Sequence, residues 1–230
     1  MSLATIVDLS QVLEPEMQIY PGDSPFSCIQ KLSVADHGCS VHLMSLGSHT
    51  GGPMVTAYRQ PATLPDAARS KRIDEIPLST FVGPALVVDL TSKGPREVIS
   101  WDDLAPYADR MHEGVILLLH TGWSSHWKTP KYYDHPFLAR GAAEHVISTG
   151  IRVLGVDTLS PDETRIDGSV GELGWAAHEV ILGSGGIIAE NLANLEAIVD
   201  KEATVSLMPL DIRGCDGSPI RAYASVVNVE

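Results

Sequence analysis

Short apolar runs, alternating or continuous, recur along the chain between turn residues. ATIVDLS, SVHLMSL, PALVVDL, GVILLLH, RVLGVDT, GIIAEN, TVSLMPL and RAYASVV each predict a β-strand. Helical patterns are fewer. SWDDLAPYADRM opens on Ser100, a suitable N-cap, with acids in its first turn. ARGAAEHVISTG ends at Gly150, a natural residue to follow a helix. ELGWAAHEVILGSGG closes on a glycine pair, and NLANLEAIV follows as a short amphipathic turn or helix. Strands and helices interleave with no Ser-, Gly- or charge-rich linker, which predicts one α/β domain over residues 1–230. There is no internal repeat and neither a GxxxxGK[ST] nor a GxGxxG loop. The nearest candidate, GSGG at 183–186, follows a helix rather than opening one, so it reads as a cap.

Composition narrows the partners. Twenty Gly and 15 Pro among 230 residues favour a β-rich or mixed architecture over a helical bundle. A net charge of −13 offers no basic face to phosphates, so a nucleic-acid partner is not expected. The opening MSLATIVDLSQVLEPEM lacks a basic n-region and a long apolar core, and no apolar run approaches the length of a membrane span. Cys28, Cys39 and Cys215 are odd in number and widely spaced, without a CxxC pair. A soluble cytoplasmic protein without a disulfide framework is the expectation.

Three residues carry the sharpest chemical suggestion. Glu190 in IIAENL is a carboxylate set among apolar residues, and burying it costs several kcal/mol unless it is paired or bound to a cation. His178 lies in the second half of a predicted helix, and the Gly-Gly turn after it could bring both side chains to one end of the strand layer. His49, amid Ser, Thr and Gly after a strand, suits ligation or proton transfer. Together they make a His, His, Glu set able to hold zinc with one position open to water. The plain alternative is a surface His, a turn His and a strand-end Glu. In DTLSPDETRID, Asp157 and Asp162 could orient a histidine or bind a substrate hydroxyl, or merely nucleate turns. Trp123, Trp127, Tyr132, Tyr133 and Phe137 form an aromatic loop that reads as a pocket wall or oligomer contact, or as a cover over the core. The serines of TGWSSH and GSHTG lack a GxSxG elbow, which gives a Ser-His-Asp hydrolase little support.

Laid side by side, IVDLSQVLEPEMQIYPGDSPF, SLGSHTG with Tyr58, LLLHTGWSSHW, GIRVLGVDTLSPD, HEVILGSGGIIAENLANL and MPLDIRGCDGSPIRAYA resemble the putative cyclase family, which includes bacterial-type kynurenine formamidases and isatin hydrolases. The resemblance implies a mixed α/β domain with a β-barrel-like core, commonly a homodimer or homotetramer. The family's loop, HxGTHxDxPxH, supplies two His and an Asp to a divalent metal and a last His for proton transfer. A downstream His and Glu complete that site, and they fall on His178 and Glu190. Anchored on His49-Thr50-Gly51, the second His becomes Pro53, the Asp becomes Val55 and the last His becomes Arg59. This register preserves Tyr58 and is preferred. The other register sets the Asp on Gly51 and the last His on Val55. Either way the Asp and two of the three histidines are absent.

Two readings follow. In the first, an enzyme cleaves a small amide, lactam or formamide-type C–N bond, with the metal site reduced or lost. His49, His178, Glu190 and Arg59 act on the substrate, while Tyr58, Trp123 and Asp157 bind it. If a metal is present, it is one Zn or Mn ion on His49, His178 and Glu190. Its variant is a metal-independent acid–base cyclase, dehydratase or isomerase. Arg59 cannot serve as a base, but it could bind a carboxylate or an oxyanion. The second reading is a non-catalytic relative that retains the pocket for binding.

Overall fold

The computed structural model describes residues 4–50, 53–56, 71–167 and 174–227. Tyr58 and Arg59, to which the sequence assigns substrate binding and catalysis, lie outside these residues, as does Gly51.

The strands are β1 (Thr5–Asp8), β2 (Ser27–Leu32), β3 (Val41–Ser45), β4 (Met54–Thr56), β5 (Val82–Asp89), β6 (Val98–Ile99) and β7 (Ile116–His120). There follow β8 (Phe137–Leu138), β9 (Val153–Val156), β10 (Ile187–Glu190), β11 (Ala203–Ser206), β12 (Gly217–Pro219) and β13 (Tyr223–Val226). Nine of them form one curled, half-barrel sheet in the order β1-β13-β11-β5-β7-β9-β10-β4-β12. Its centre, β5-β7-β9-β10, is parallel, and antiparallel strands extend both sides. Among the described residues four short α-helices accompany it: α1 (Val34–His37), α2 (Trp101–Leu104), α3 (Arg140–Ser148) and α4 (Ala176–Gly183). All eight strands predicted from the apolar runs are present.

The central parallel strands explain the unbroken ILLL run. Leu118, Val87, Val153 and Ile187 pack on one face with Val55, Phe81 and Val205. Leu117, Leu119, Leu154 and Ile188 pack on the other against Ala143, Val146 and Ile181 of α3 and α4. A strand buried on both faces has no polar side to alternate with. The helix expected over SWDDLAPYADRM is one α-turn followed by a 3₁₀ stretch, Ala105–Arg110, because Pro106 cannot continue the α ladder. NLANLEAIV is likewise a single 3₁₀ turn, Leu195–Ile198.

Five strands escaped the pattern: β2, β6 and β8 outside the large sheet, and β4 and β12 within it. β4 is only three residues long, and β12 is Gly-Ser-Pro, a composition that strand propensity disfavours. Its place at the sheet edge makes Pro219 tolerable. Gly217 is required there, since a Cβ would stand 2.7 Å from the carbonyl oxygen of Val55.

Candidate active site

The site begins at the turn from α4 into β10. Gly185 takes a positive φ of 75°, and Gly186 follows where a Cβ would stand 2.9 Å from two backbone carbonyl oxygens. Only glycine fits so tight a return. The turn sends β10 back beside β9, so that Glu190, at the carboxyl end of β10, meets His178 of α4. His178 lies in the first turn of α4 and not in the second half of a longer helix.

Asp162 fixes that histidine. Its buried carboxylate accepts the backbone N–H groups of Ala177 (2.7 Å) and His178 (3.1 Å) and stands 2.6 Å from His178 Nδ1. The same group therefore satisfies the start of α4 and sets the imidazole tautomer, with the proton on Nδ1. His178 Nε2 is left 3.6 Å from Glu190 Oε1. Glu190 makes no hydrogen bond among the described residues. Burial pushes its carboxyl above the usual range, and the nearby His178 and His49 only partly oppose this.

Opposite stands a second histidine–aspartate pair. His49 Nε2 is 2.5 Å from Asp216 Oδ2, and Ser48 donates its hydroxyl to Asp216 Oδ1 at 2.8 Å. Burial disfavours the charged imidazole, but the Asp216 hydrogen bond and charge outweigh it, leaving His49 above its ordinary value. The His49 hydrogen bond holds Asp216 well below the usual carboxylate range. On its far side, His49 Nδ1 stands 3.4 Å from the hydroxyl oxygen of Thr56.

His49, Asp216, His178 and Glu190 border one cavity of about 740 Å³ on the helix side of the sheet, with Asp162 held behind His178. Met54 and Thr56 of β4 line it, with Tyr20 and Trp175 as its aromatic wall. The Trp175 ring meets His178 edge-on at 5.6 Å and Tyr20 at 5.4 Å. Burial, with the charge of Glu190, pushes the Tyr20 phenol up to about 12, so it remains a neutral donor. Burial also raises the Asp23 carboxyl at the same cavity.

His49, His178 and Glu190 thus converge. Trp123 and Asp157 do not join them. Trp123 is 4% exposed, packs with Tyr132 and Leu159, and donates its indole N–H to the Lys131 carbonyl at 3.1 Å. The aromatic loop covers the core instead of forming a pocket wall. Asp157 is fully buried, and its oxygens accept the Thr121 and Gly122 N–H groups and the Thr121 hydroxyl, beside His120. It has no capacity left for a substrate. The sequence reading missed Asp216, Thr56, Tyr20 and Asp23 as site residues. Asp216 and Asp23 sit in CDGSP and PGDSP, where Gly and Pro gave them the look of turn residues.

A zinc or manganese ion on His49, His178 and Glu190 does not fit this donor set. Both ring nitrogens of His49 face protein groups, Asp216 and Thr56. His178 Nε2 and Glu190 Oε1 have a ligand-like spacing, but two donors do not hold a structural or catalytic ion. Among the described residues, no three His, Cys, Asp or Glu side chains are grouped to bind one. The preferred register of the signature loop also meets an obstacle. Met54 and Thr56 turn to the cavity, whereas Val55, its stand-in for the metal-binding Asp, turns to the opposite core.

This chain belongs to the putative cyclase family, whose sequence profile it matches over residues 7–163. It is 31% identical to a kynurenine formamidase of Bacillus thuringiensis (strain Al Hakam) over 223 residues, 94% of this chain and 95% of that protein. Isatin hydrolase A from Labrenzia aggregata, bound to benzyl benzoate, shares the fold at a TM-score of 0.86 and 24% identity, covering 98% of this chain and 94% of that one. A predicted metal-dependent hydrolase from Bacillus stearothermophilus shares it at 0.71 and 21% identity, covering 97% and 98%.

Proposed function

We propose that the protein is a hydrolase of a small amide, lactam or formamide-type C–N bond, acting in the cavity beside His49, His178 and Glu190. One observation carries the reading: two histidines, each backed by a buried or half-buried aspartate, face a carboxyl group across a space large enough for an aromatic amide. The kynurenine formamidase relatives support the bond class.

The chemistry follows from where the protons sit. Asp216 retains the proton of His49 Nε2, which leaves Nδ1 as the basic nitrogen on the Thr56 side. Burial raises the Glu190 carboxyl, and in its protonated form it donates to the carbonyl oxygen as negative charge develops there. The Tyr20 phenol is a second neutral donor, and Trp175 supplies an apolar face for a ring. Asp23, Asp216 and Arg72 also line the cavity, so its wall carries groups of both signs. A metal ion enters none of these steps.

Formanilide, an N-formylated aromatic amine and a five-membered aryl lactam, each incubated with the full chain, test the reading. Release of formate or of the opened amino acid is the expected result. Intact amides accompanied by ring-closed or dehydrated products from hydroxy acids would replace it with a metal-independent cyclase or dehydratase. That second reading is favoured by the poor fit of the donor set to an ion.

We also propose the cytoplasm as the compartment, because Cys28 and Cys39 are exposed free thiols that a reducing environment would preserve. Among the described residues no helix is long and apolar enough to cross a membrane. A homo-oligomer is supported by the β2–β3 hairpin, which stands apart from the large sheet and exposes Ile29, Leu43 and Met44. A two-stranded hairpin is marginal on its own in water.

A further inference from the structure

We propose that Thr56 is the nucleophile of this site, with His49 as its base and Asp216 as the residue that orients His49. The proposal rests on the amide-hydrolase reading and adds a covalent acyl intermediate to it.

The three side chains come from separate parts of the fold, which is why no local motif announces them. Thr56 ends β4, a strand held between β10 and β12 in register with Ile188 and Gly217. Its neighbours alternate, so Met54 and Thr56 look into the cavity while Val55 anchors the strand in the core. A nucleophile on a strand paired on both sides is well positioned, because its backbone is fixed. The Thr56 hydroxyl has His49 Nδ1 at 3.4 Å and no other hydrogen-bond partner among the described residues. Nucleophile–base contacts are commonly this long before substrate arrives. The opposite ring nitrogen of His49 meets Asp216 at 2.5 Å, and Ser48 fixes the other oxygen of Asp216 at 2.8 Å. Hydroxyl, imidazole and carboxylate thus follow one another in the order that a nucleophilic triad requires. Its strand partner is Gly217, which carries no side chain to cover the hydroxyl.

The reaction balances with water as the only co-substrate. Thr56 Oγ1 forms a bond to the amide carbonyl carbon as its proton passes to His49 Nδ1. The carbonyl π pair moves onto oxygen, where Glu190 donates a hydrogen bond. Asn191 can do the same, since it lines the cavity with its Oδ1 held by the Tyr132 hydroxyl at 2.9 Å and its Nδ2 amide left as a donor. Collapse breaks the C–N bond, and the nitrogen leaves with the proton from His49. The product amine departs and the acyl group remains as a threonine ester. Water then attacks the ester carbon, gives a proton to His49, and the C–O bond to Thr56 breaks as that proton returns to its oxygen. The sum is amide plus water to acid plus amine.

An activated ester, p-nitrophenyl acetate, tests this without knowledge of the physiological substrate. The full chain should release a burst of nitrophenolate near one equivalent and carry one acetyl group, which peptide mapping places on Thr56. Thr56→Ser should keep the adduct. Thr56→Val, which preserves side-chain shape, and His49→Gln should lose it while their thermal unfolding stays close to that of the parent. Formanilide hydrolysis by Thr56→Val should fall about a thousand-fold or more. Acetyl on any other residue, or steady ester turnover without an adduct, overturns the nucleophile. Formanilide cleavage that survives in Thr56→Val also overturns it but leaves the amide hydrolase standing. Acylation of Thr56 with no amide ever cleaved would do the reverse. An inert protein toward both probes removes both.

Discussion

Three histidine–aspartate pairs occur among the described residues, and they differ in what lies beyond the histidine. In His49–Asp216 and His178–Asp162 the second ring nitrogen looks toward a cavity, at Thr56 and at Glu190 respectively. His120–Asp157, at 3.3 Å, does not line that cavity. There the aspartate gathers the N–H groups of the turn after β7 at the end of β9, tying two neighbouring parallel strands together. The same chemical pair is machinery in one place and a tie in another. The deciding quantity is whether a free acceptor or donor meets open volume, not the identity of the pair.

The sharpest way to break the comparison is to remove a histidine from the cavity side. His49→Gln should lower amide turnover about a thousand-fold with a small change in melting temperature, measured on the same preparation by product release and by thermal unfolding. An equal loss in His120→Gln, with stability intact, would erase the distinction. The aspartates sharpen it further. Asp157→Asn places an amide N–H among donors that need an acceptor. It should cost about 3 kcal/mol in a urea titration, while turnover per folded molecule is retained. Asp162→Asn should behave differently, because its carboxylate also sets the direction of a cavity histidine. Turnover should fall about a hundred-fold through misplacement of His178, beyond any loss of stability.

The sequence could not separate these aspartates. Asp157 and Asp162 stand in one segment, DTLSPDETRID, and strand-end acids read alike until the partners of their oxygens are known. His178 and Glu190 were legible for a physical reason: a carboxylate inside an apolar strand, reached from a helix by a glycine turn, demands an explanation. Thr56 was not legible. A Thr in MVT is ordinary strand composition, and its role depends on His49 and on Asp216, which is far away in the chain. The fold was the easier part, since seven of the eight strands with apolar runs belong to the large sheet. β4 and β12 were missed because three residues carry no period and Gly-Ser-Pro carries a turn signal. β4 nevertheless puts Met54 and Thr56 on the cavity wall, so one of the least legible elements borders the candidate site.

His135 supplies a third kind of buried histidine and the smallest of the effects. It has no carboxylate partner. Its two nitrogens face the Pro136 carbonyl at 2.8 Å and the Thr164 hydroxyl at 2.8 Å, and the residue is 1% exposed. Burial drives its pKa down to about 4, against 6.5 for a free imidazole. The folded state therefore binds fewer protons than the unfolded state between these values. Its contribution is fully present above the unfolded value of 6.5, and is lost progressively as pH falls toward 4. At pH 5 the loss should be about 2 kcal/mol. Carboxylates titrate in the same range, so the parent must be compared with His135→Gln, which is less stable at neutral pH but lacks this proton linkage. The urea midpoints of the two proteins should converge between pH 7 and pH 5. If the gap between them stays constant, the imidazole is charging inside the fold, and closure of its surroundings cannot be what separates it from the histidines at the cavity.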